Sequence, residues 1–513
     1  MIDRGERKRF LLLLTILIIS VSGLAYELVA GTMATYLLGQ SVTQFSYATG
    51  WFLASMGFGS YLSRYIKVRL LETLLRVQVI LGIVGGYSAF LMFLSFAFTE
   101  TVYPVFMVLA FVIGTCVGLE IPILLRMIGK YRILSIAVSD VFTYDYIGAL
   151  FASLLFPLLL LPYLGILRTS LFFGLMNLAA AWILLSLMDK KRRFYRILLI
   201  LASVFIISGF LGAERLNNWL EDSLYQDPIV YSKTTKFQRL VITKWRDDIR
   251  LFINSNIQFS TRDEARYHET LIHVPVLFLK SDPETVLILG GGDGLALKEV
   301  FKYPSVKKVV LVDLDPEMVE LFKTHNVLKT LNAGALSDPR LQVVNKDAFN
   351  WIKSNRDKFD LIISDLPDPN DYSLGKLYSV TFYLSLLSAL KEEGVFISQA
   401  TSPTFAPSAF WCIYSTIRYS AEKKFGNSHN YKIMPLHYYI PSFGDWGYVL
   451  FGKNLDLEKR KKIVPETKVL SDELVPSLFA FSKDMQMQET VVNHLDNQKL
   501  VGLYEKSWHR WYK

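Results

Sequence analysis

The sequence predicts a multispan α-helical membrane domain followed by an α/β region, the latter a small β-meander plus a doubly wound, mostly parallel sheet. Three observations lead there. The chain has 513 residues, 52% of them hydrophobic, with a mean hydropathy of +0.31, which is too long for one ordinary domain and too apolar for a typical soluble one. Runs apolar enough to cross a bilayer crowd the first part and then stop. After them, strand-like and helix-like segments alternate.

The apolar runs lie at roughly 10–30, 44–62, 74–98, 101–124, 141–163, 169–188 and 197–213, which gives six or seven spans in residues 1–213. The first has basic flanks like a leader peptide, but it is long, lacks a small-residue cleavage pattern and is followed by others, so it is expected to be a span. Charge supports this division. Residues 1–213 hold 17 Lys/Arg and 9 Asp/Glu, and residues 214–513 hold 38 and 37, so the net charge of +9 divides as +8 and +1. The basic residues form short clusters beside alternate apolar runs, as in "DKKRRFYR" (189–196). That pattern fits membrane topology rather than nucleic acid, and it places the N-terminus in the cytoplasm. Seven spans from there would leave residues 214–513 outside. A cytoplasmic soluble region therefore requires one run not to cross, with 101–124 and 197–213 as candidates. Membrane lipid is an expected partner. Glu27, Glu120 and Asp145 lie within or near the runs, where a carboxylate either serves helix packing or marks a cation or headgroup site. Cys116 and Cys412 are too few for a disulfide framework and show no metal-ligand spacing.

From residue 214 the texture changes. "PIVYSKTTKFQRLVITKWRDDIRLFINSNIQFST" (228–261) alternates apolar and polar residues between turn signals, which predicts the meander, as a lid over 214–261. Residues 262–453 alternate strands and helices at the spacing of a Rossmann-like sheet. Residues 454–513 form a charged, partly helical tail expected to pack on that domain.

The chemistry concentrates at strand ends. "LILGGGDG" (287–294) is a strand feeding a glycine turn, in which Gly290, Gly291, Gly292 and Gly294 allow close approach of a ligand. A dinucleotide fingerprint fails, because Leu295 stands at its last glycine position and Asp293 would oppose a pyrophosphate. "VLVDLD" ends in Asp313, where an acid commonly holds ribose hydroxyls; "NKDAF" supplies Asp347. "FDLIISDLPDPNDY" (359–372) ends a buried run in Asp365, with Asp368 three residues on and Pro367 and Pro369 stiffening the loop. Four acids at four successive strand ends repel one another, and a positively charged nucleoside, such as a sulfonium, relieves that repulsion.

These motifs, with "LYQDPIV", "NIQFSTRDEARYHETLIHVPV", "DPRLQVVNKDAF" and "LYSVTFY", resemble the spermidine synthases through most of 225–453. The apolar first half is similar to the membrane-anchored bacterial branch of that family. The resemblance implies an aminopropyltransferase whose co-substrate is decarboxylated S-adenosylmethionine, with no other cofactor and no metal. It implies that Gln226 and Gln258 contact the nucleoside or its side chain, and that Tyr267 and His268 line the junction between the substrates. Asp293 would hold the aminopropyl ammonium, Asp313 the ribose and Asp347 the adenine side. Asp365 would be the catalytic carboxylate and Asp368 the anchor for the acceptor amine, putrescine by default. Members commonly self-associate, so a homo-oligomer is an expectation of the resemblance, although the sequence shows no interface. Three segments depart from the family, all on the amine side: Leu366 and Pro367 between the two acids, "NDYSLGKLY" after them, and "IPSFGDWG" (440–447) with Phe443 where a tyrosine is usual. Two other readings share the sheet or the acids. One is an S-adenosylmethionine-dependent methyltransferase; the other is a polyamine transporter or sensor with a regulatory nucleoside domain.

Overall fold

The apolar runs fold as helices. The computed structural model describes residues 4–38, 41–98, 102–130, 133–188, 192–225, 227–426, 431–487, 490–508 and 510–511, and the chain divides into two compact units, Met1–Gln226 and Asp227–Lys513. In the first unit, five helices are long and apolar enough to cross a membrane among the described residues: Glu6–Thr35, Leu70–Phe98, Val102–Ile128, Leu134–Ser186 and Arg192–Leu216. The fourth has 53 residues, about 80 Å if straight, but Gly165 breaks it with φ 69° and ψ 171°. It thus contains both the 141–163 and 169–188 runs. Runs 101–124 and 197–213 each lie inside longer continuous helices, Val102–Ile128 and Arg192–Leu224. The helix that does not reach spanning hydropathy is Ser41–Ser63, diluted by serine, threonine and glycine.

Two of the three acids in the apolar helices, Glu120 and Asp145, have partners from other helices. Gln78 Nε2 donates to Glu120 Oε1 at 2.5 Å, and Ser20 Oγ donates to Asp145 Oδ1 at 2.5 Å. Glu120 is buried, while Glu27 is half-buried.

The last helix does not stop at 213. Residues 214–224, polar as they are, continue it to Leu224, because "ERLNNWLEDSL" contains neither glycine nor proline to end a helix. The meander therefore begins at Ile229. Its strands are β1 (Ile229–Thr234), β2 (Arg239–Trp245), β3 (Asp248–Ile253) and β4 (Asn256–Ser260), antiparallel in the order β1-β2-β3-β4.

Seven strands form the main sheet: β5 (Thr285–Gly290), β6 (Lys308–Asp313), β7 (Leu341–Asn345), β8 (Phe359–Asp365), β9 (Leu390–Gln399), β10 (Lys432–Ile440) and β11 (Gly444–Gly452). Their order is β10-β11-β9-β8-β5-β6-β7. Strands β5 to β9 pair in parallel, and β11 runs antiparallel to both β9 and β10. "VLIL" and "LIIS" are continuously buried because helices cover both faces. Leu271, Leu295 and Met318 pack on one face; Ile352, Phe382, Phe410 and Leu500 pack on the other. The chain order reverses between β5 and β8, where a doubly wound sheet opens its ligand crevice.

The tail packs on this unit. Glu269, buried on the helix Glu264–Val276, accepts the backbone N–H groups of Lys468, Val469 and Leu470 at 2.6–3.0 Å.

Candidate active site

Parallel register places the strand ends side by side. Gly290 of β5 pairs with Asp365 of β8, and Asp313 of β6 pairs with Asn345 of β7. The glycine turn after β5 thus lies between two acids. Gly290 has φ 82°, and a Cβ there would come within 1.9 Å of the Asp365 carbonyl oxygen, so no other residue fits. At Gly292 a Cβ would lie 2.6 Å from Asp313 Oδ2; with none present, the Gly292 N–H donates to that oxygen at 3.0 Å. Asp313 Oδ1 also accepts the Asp315 N–H, at 2.8 Å. The carboxylate at the expected ribose position is thereby held rigidly by the loop it faces.

Buried Tyr267, His268 and Asp293 gather around the half-buried Asp365 in the crevice. Tyr267 Oη donates to Asp365 Oδ1 at 2.6 Å. His268, one residue on, has Nδ1 3.0 Å from Glu264 Oε2, and Lys298 Nζ lies 2.9 Å from Glu264 Oε1. Burial opposes the imidazolium, but Glu264, Asp293 and Asp365 outweigh it and raise the His268 pKa to about 9. Asp293 is pushed up to about 6, first by burial and further by Asp365, with His268 opposing. Burial likewise raises Asp313 to about 6 and lifts Asp365, while His268 and Tyr267 hold Asp365 down. Desolvated carboxylates that resist ionisation are suited to receive cations, because a bound positive charge restores their ionised form.

Asp368 lies on the β9 side, beside Gln399. Burial raises it to about 6 against three donors: Gln399 Nε2 at 3.3 Å, Thr401 Oγ1 at 3.2 Å and Tyr504 Oη at 2.9 Å. Gln399 is fixed by the Leu366 carbonyl, at 2.6 Å, and by the Tyr378 hydroxyl, at 2.5 Å. Thr401 is buried with φ 58°, a conformation costly for a β-branched residue. The Gln399 Oε1 acceptor for its N–H and the Gly447 N–H donor to its carbonyl, at 2.9 and 2.8 Å, hold it there.

The sequence-derived residues are not all gathered alike. Asp347 caps the helix Ala348–Ser354 through the Asn350 N–H and pairs with Lys376 at 2.6 Å. Burial would raise it, but Lys376 outweighs that and leaves its pKa lowered. Gln258 donates to the carbonyls of Asn256 and Ile257, its own strand. Gln226 lies outside the described residues. Sequence reasoning missed Glu264, Gln399, Thr401 and Tyr504. Gln399 had a signal, since it ends the buried "VFISQ" strand as Asp365 ends "LIISD". Phe443 packs on Tyr267, ring centroids 5.9 Å apart. Among the described residues no group of His, Cys, Asp and Glu is placed to hold a metal ion.

The spermine/spermidine synthase domain family matches residues 264–461. A polyamine aminopropyltransferase of Leptospira interrogans is 42% identical over 97% of this chain and 99% of its own. Polyamine aminopropyltransferase 2 of Ralstonia nicotianae is 42% identical over 98% and 99%. A crystal structure of spermidine synthase in complex with the transition-state analogue AdoDATO is 27% identical, with a TM-score of 0.45, covering 54% of this chain and 88% of that one. Likeness over nearly the whole length, apolar half included, places this chain in the family of polyamine aminopropyltransferases.

Proposed function

We propose that the Asp227–Lys513 unit transfers the aminopropyl group of decarboxylated S-adenosylmethionine to a diamine, putrescine by default, giving spermidine and methylthioadenosine. The observation that carries this is the crevice between β5 and β8, where Asp293 is buried and Asp365 and Asp368 are half-buried, all three with raised pKa values. Two cationic substrates that repel each other in water are brought together where carboxylates offset their charge. Asp313 holds the ribose and Asp347 the adenine side. Asp293 holds the aminopropyl ammonium.

The acceptor amine is mostly protonated at neutral pH, since alkylamines titrate near the lysine value of about 10.4. Asp365 receives that ammonium, accepts one of its protons and orients the freed nitrogen. The freed lone pair attacks the methylene beside the sulfonium, the carbon–sulfur bond breaks, and sulfur keeps the pair as a neutral thioether. The new secondary ammonium is then the product. Asp368 anchors the far ammonium of the diamine.

The apolar helices would anchor the enzyme in the cell membrane with the catalytic unit in the cytoplasm, where its nucleoside donor is made. One helix would then not cross, and Ser41–Ser63, which falls short of spanning hydropathy, is the one we assign. Labelling of single cysteines placed in residues 227–513 tests this; accessibility only from outside overturns it.

The activity is tested on detergent-purified full chain with decarboxylated S-adenosylmethionine and a panel of amines, read by mass, with Asp365→Asn as control. Methylthioadenosine and an aminopropylated amine, both lost in the variant, are expected. Methylated product instead would overturn the reading.

A further inference from the structure

The anchor Asp368 takes its shortest hydrogen bond from a residue far along the chain and beyond the family match. Tyr504 Oη lies 2.9 Å from Asp368 Oδ2, across 136 residues, whereas the matched family domain ends at residue 461. Tyr504 stands on the helix Lys499–Trp508, which touches both loops of the amine side. At one end, Asn493 donates to the carbonyls of Gly375 and Tyr378 at 3.0 and 3.2 Å and receives the Leu500 N–H. A Cβ on Gly375 would lie 2.5 Å from Gln498 Oε1 and 2.7 Å from Val501 Cγ2, so the tail seats directly on the "NDYSLGKLY" segment. At the other end, Trp508 stacks on Phe405 with centroids 5.3 Å apart, and Trp511 Nε1 donates to the Phe405 carbonyl at 3.2 Å. Leu500 and Val501 bury the helix in the core between these contacts.

Resting on the aminopropyl-transfer reading, we propose that this C-terminal helix completes the acceptor site, with Tyr504 as the residue that positions Asp368 toward the far ammonium of a diamine. An ionised carboxylate has about four acceptor directions. Tyr504 and Thr401 take two on Oδ2, and Gln399 takes one on Oδ1, which leaves one direction on Oδ1 for the substrate. Three neutral donors fix the carboxylate's orientation and favour its charge without neutralising it, as a cationic residue would. Of the segments in which this chain departs from the family, 366–378 is the one the tail clamps, and the same helix seats the loop after β9 through Phe405. Amine recognition is therefore assigned in part to the C-terminal helix.

The test is initial-rate kinetics on the full chain carrying Tyr504→Phe, which removes one oxygen and keeps the ring, beside Lys506→Ala on the same helix as control. In Tyr504→Phe the KM for 1,4-diaminobutane rises about tenfold, as expected for a lost bond to a charged group. The KM for the nucleoside donor stays within about twofold. The acid limb of kcat/KM for the amine moves to higher pH, because a carboxylate that loses a donor holds its proton longer. Direct binding of 1,4-diaminobutane in the presence of methylthioadenosine weakens in parallel. An unchanged amine KM and acid limb, or a donor KM raised equally, overturns the role of Tyr504 while leaving transfer intact. Wild-type protein without turnover but with diamine affinity lost in Tyr504→Phe overturns transfer alone. Wild-type protein with neither turnover nor diamine binding overturns both.

Discussion

Tyr267 and Asp365, 98 residues apart in the chain, are joined by a hydrogen bond of 2.6 Å. The hydroxyl favours the ionised carboxylate and fixes the oxygen proposed above to receive the amine. Tyr267→Phe keeps the ring contacts with Phe443 and Tyr448 but lets the carboxyl pKa rise further. Turnover should fall roughly ten- to a hundredfold with little change in thermal midpoint, measured by methylthioadenosine release and by melting of the same samples.

Ionised carboxylates are needed to hold cations, and Asp293 and Asp368 are pushed up to about 6 by burial. The kcat/KM profile should therefore fall as pH drops below about 6. Initial rates between pH 5 and 8 with subsaturating amine would show this limb, and a profile flat down to pH 5 would contradict it.

Stability should move the other way. Asp293 titrates near 3.9 when unfolded and near 6 when folded, so the native state binds more protons between those values. Its contribution is most favourable below about pH 4 and is lost as pH rises through about 6. Asp293→Asn should thus stabilise the ligand-free protein by roughly 1–3 kcal/mol at pH 7.5 while abolishing turnover. Melting at pH 7.5 and 4.5 is the check: the gain should shrink at the lower pH.

Both ring nitrogens of His437 lie 2.8 Å from acceptors, Asp445 Oδ1 and the Ala480 carbonyl, so only the imidazolium can donate to both. Burial disfavours the imidazolium, but these partners outweigh it and raise its pKa. Its stabilisation is complete below about pH 6.5, the unfolded value, and is lost as pH rises through the folded one. His437→Gln should therefore cost more at pH 6 than at pH 9, by roughly 0.5–1 kcal/mol given partial exposure. Urea midpoints at the two pH values decide it.

Thr401 combines backbone strain with a bond to Asp368. Thr401→Gly releases the strain, roughly 1–2 kcal/mol, against about 1 kcal/mol of added unfolded-state freedom. The midpoint should hold or rise while the amine KM increases several-fold. A large loss of stability instead would show that the conformation costs nothing.

Much of the fold was legible because its signals are local. Runs of some twenty apolar residues require helices in a bilayer, and "VLIL" or "LIIS" between glycine and acid requires a strand buried on both faces. Asp293, Asp313, Asp347 and Asp365 could be placed on one rim because parallel strands end on the same side. Where helices stop was harder to read. Residues 214–224 are polar enough for a lid yet continue a helix, and Gly165 breaks a helix inside an apolar stretch, since helix ends depend on what packs beyond them.

By itself, the sequence determined the chemistry of the rim: which acids there are, which strands end in them, and the glycines that let them close on a ligand. Only the tertiary structure decided who holds those acids. Gln399, Thr401 and Tyr504 reach Asp368 from 31, 33 and 136 residues away, and each alone is an ordinary polar residue. Their role arises from burial. Once Asp368 loses its water, every donor within 3.3 Å sets its charge and direction, and such donors come from wherever the chain happens to return.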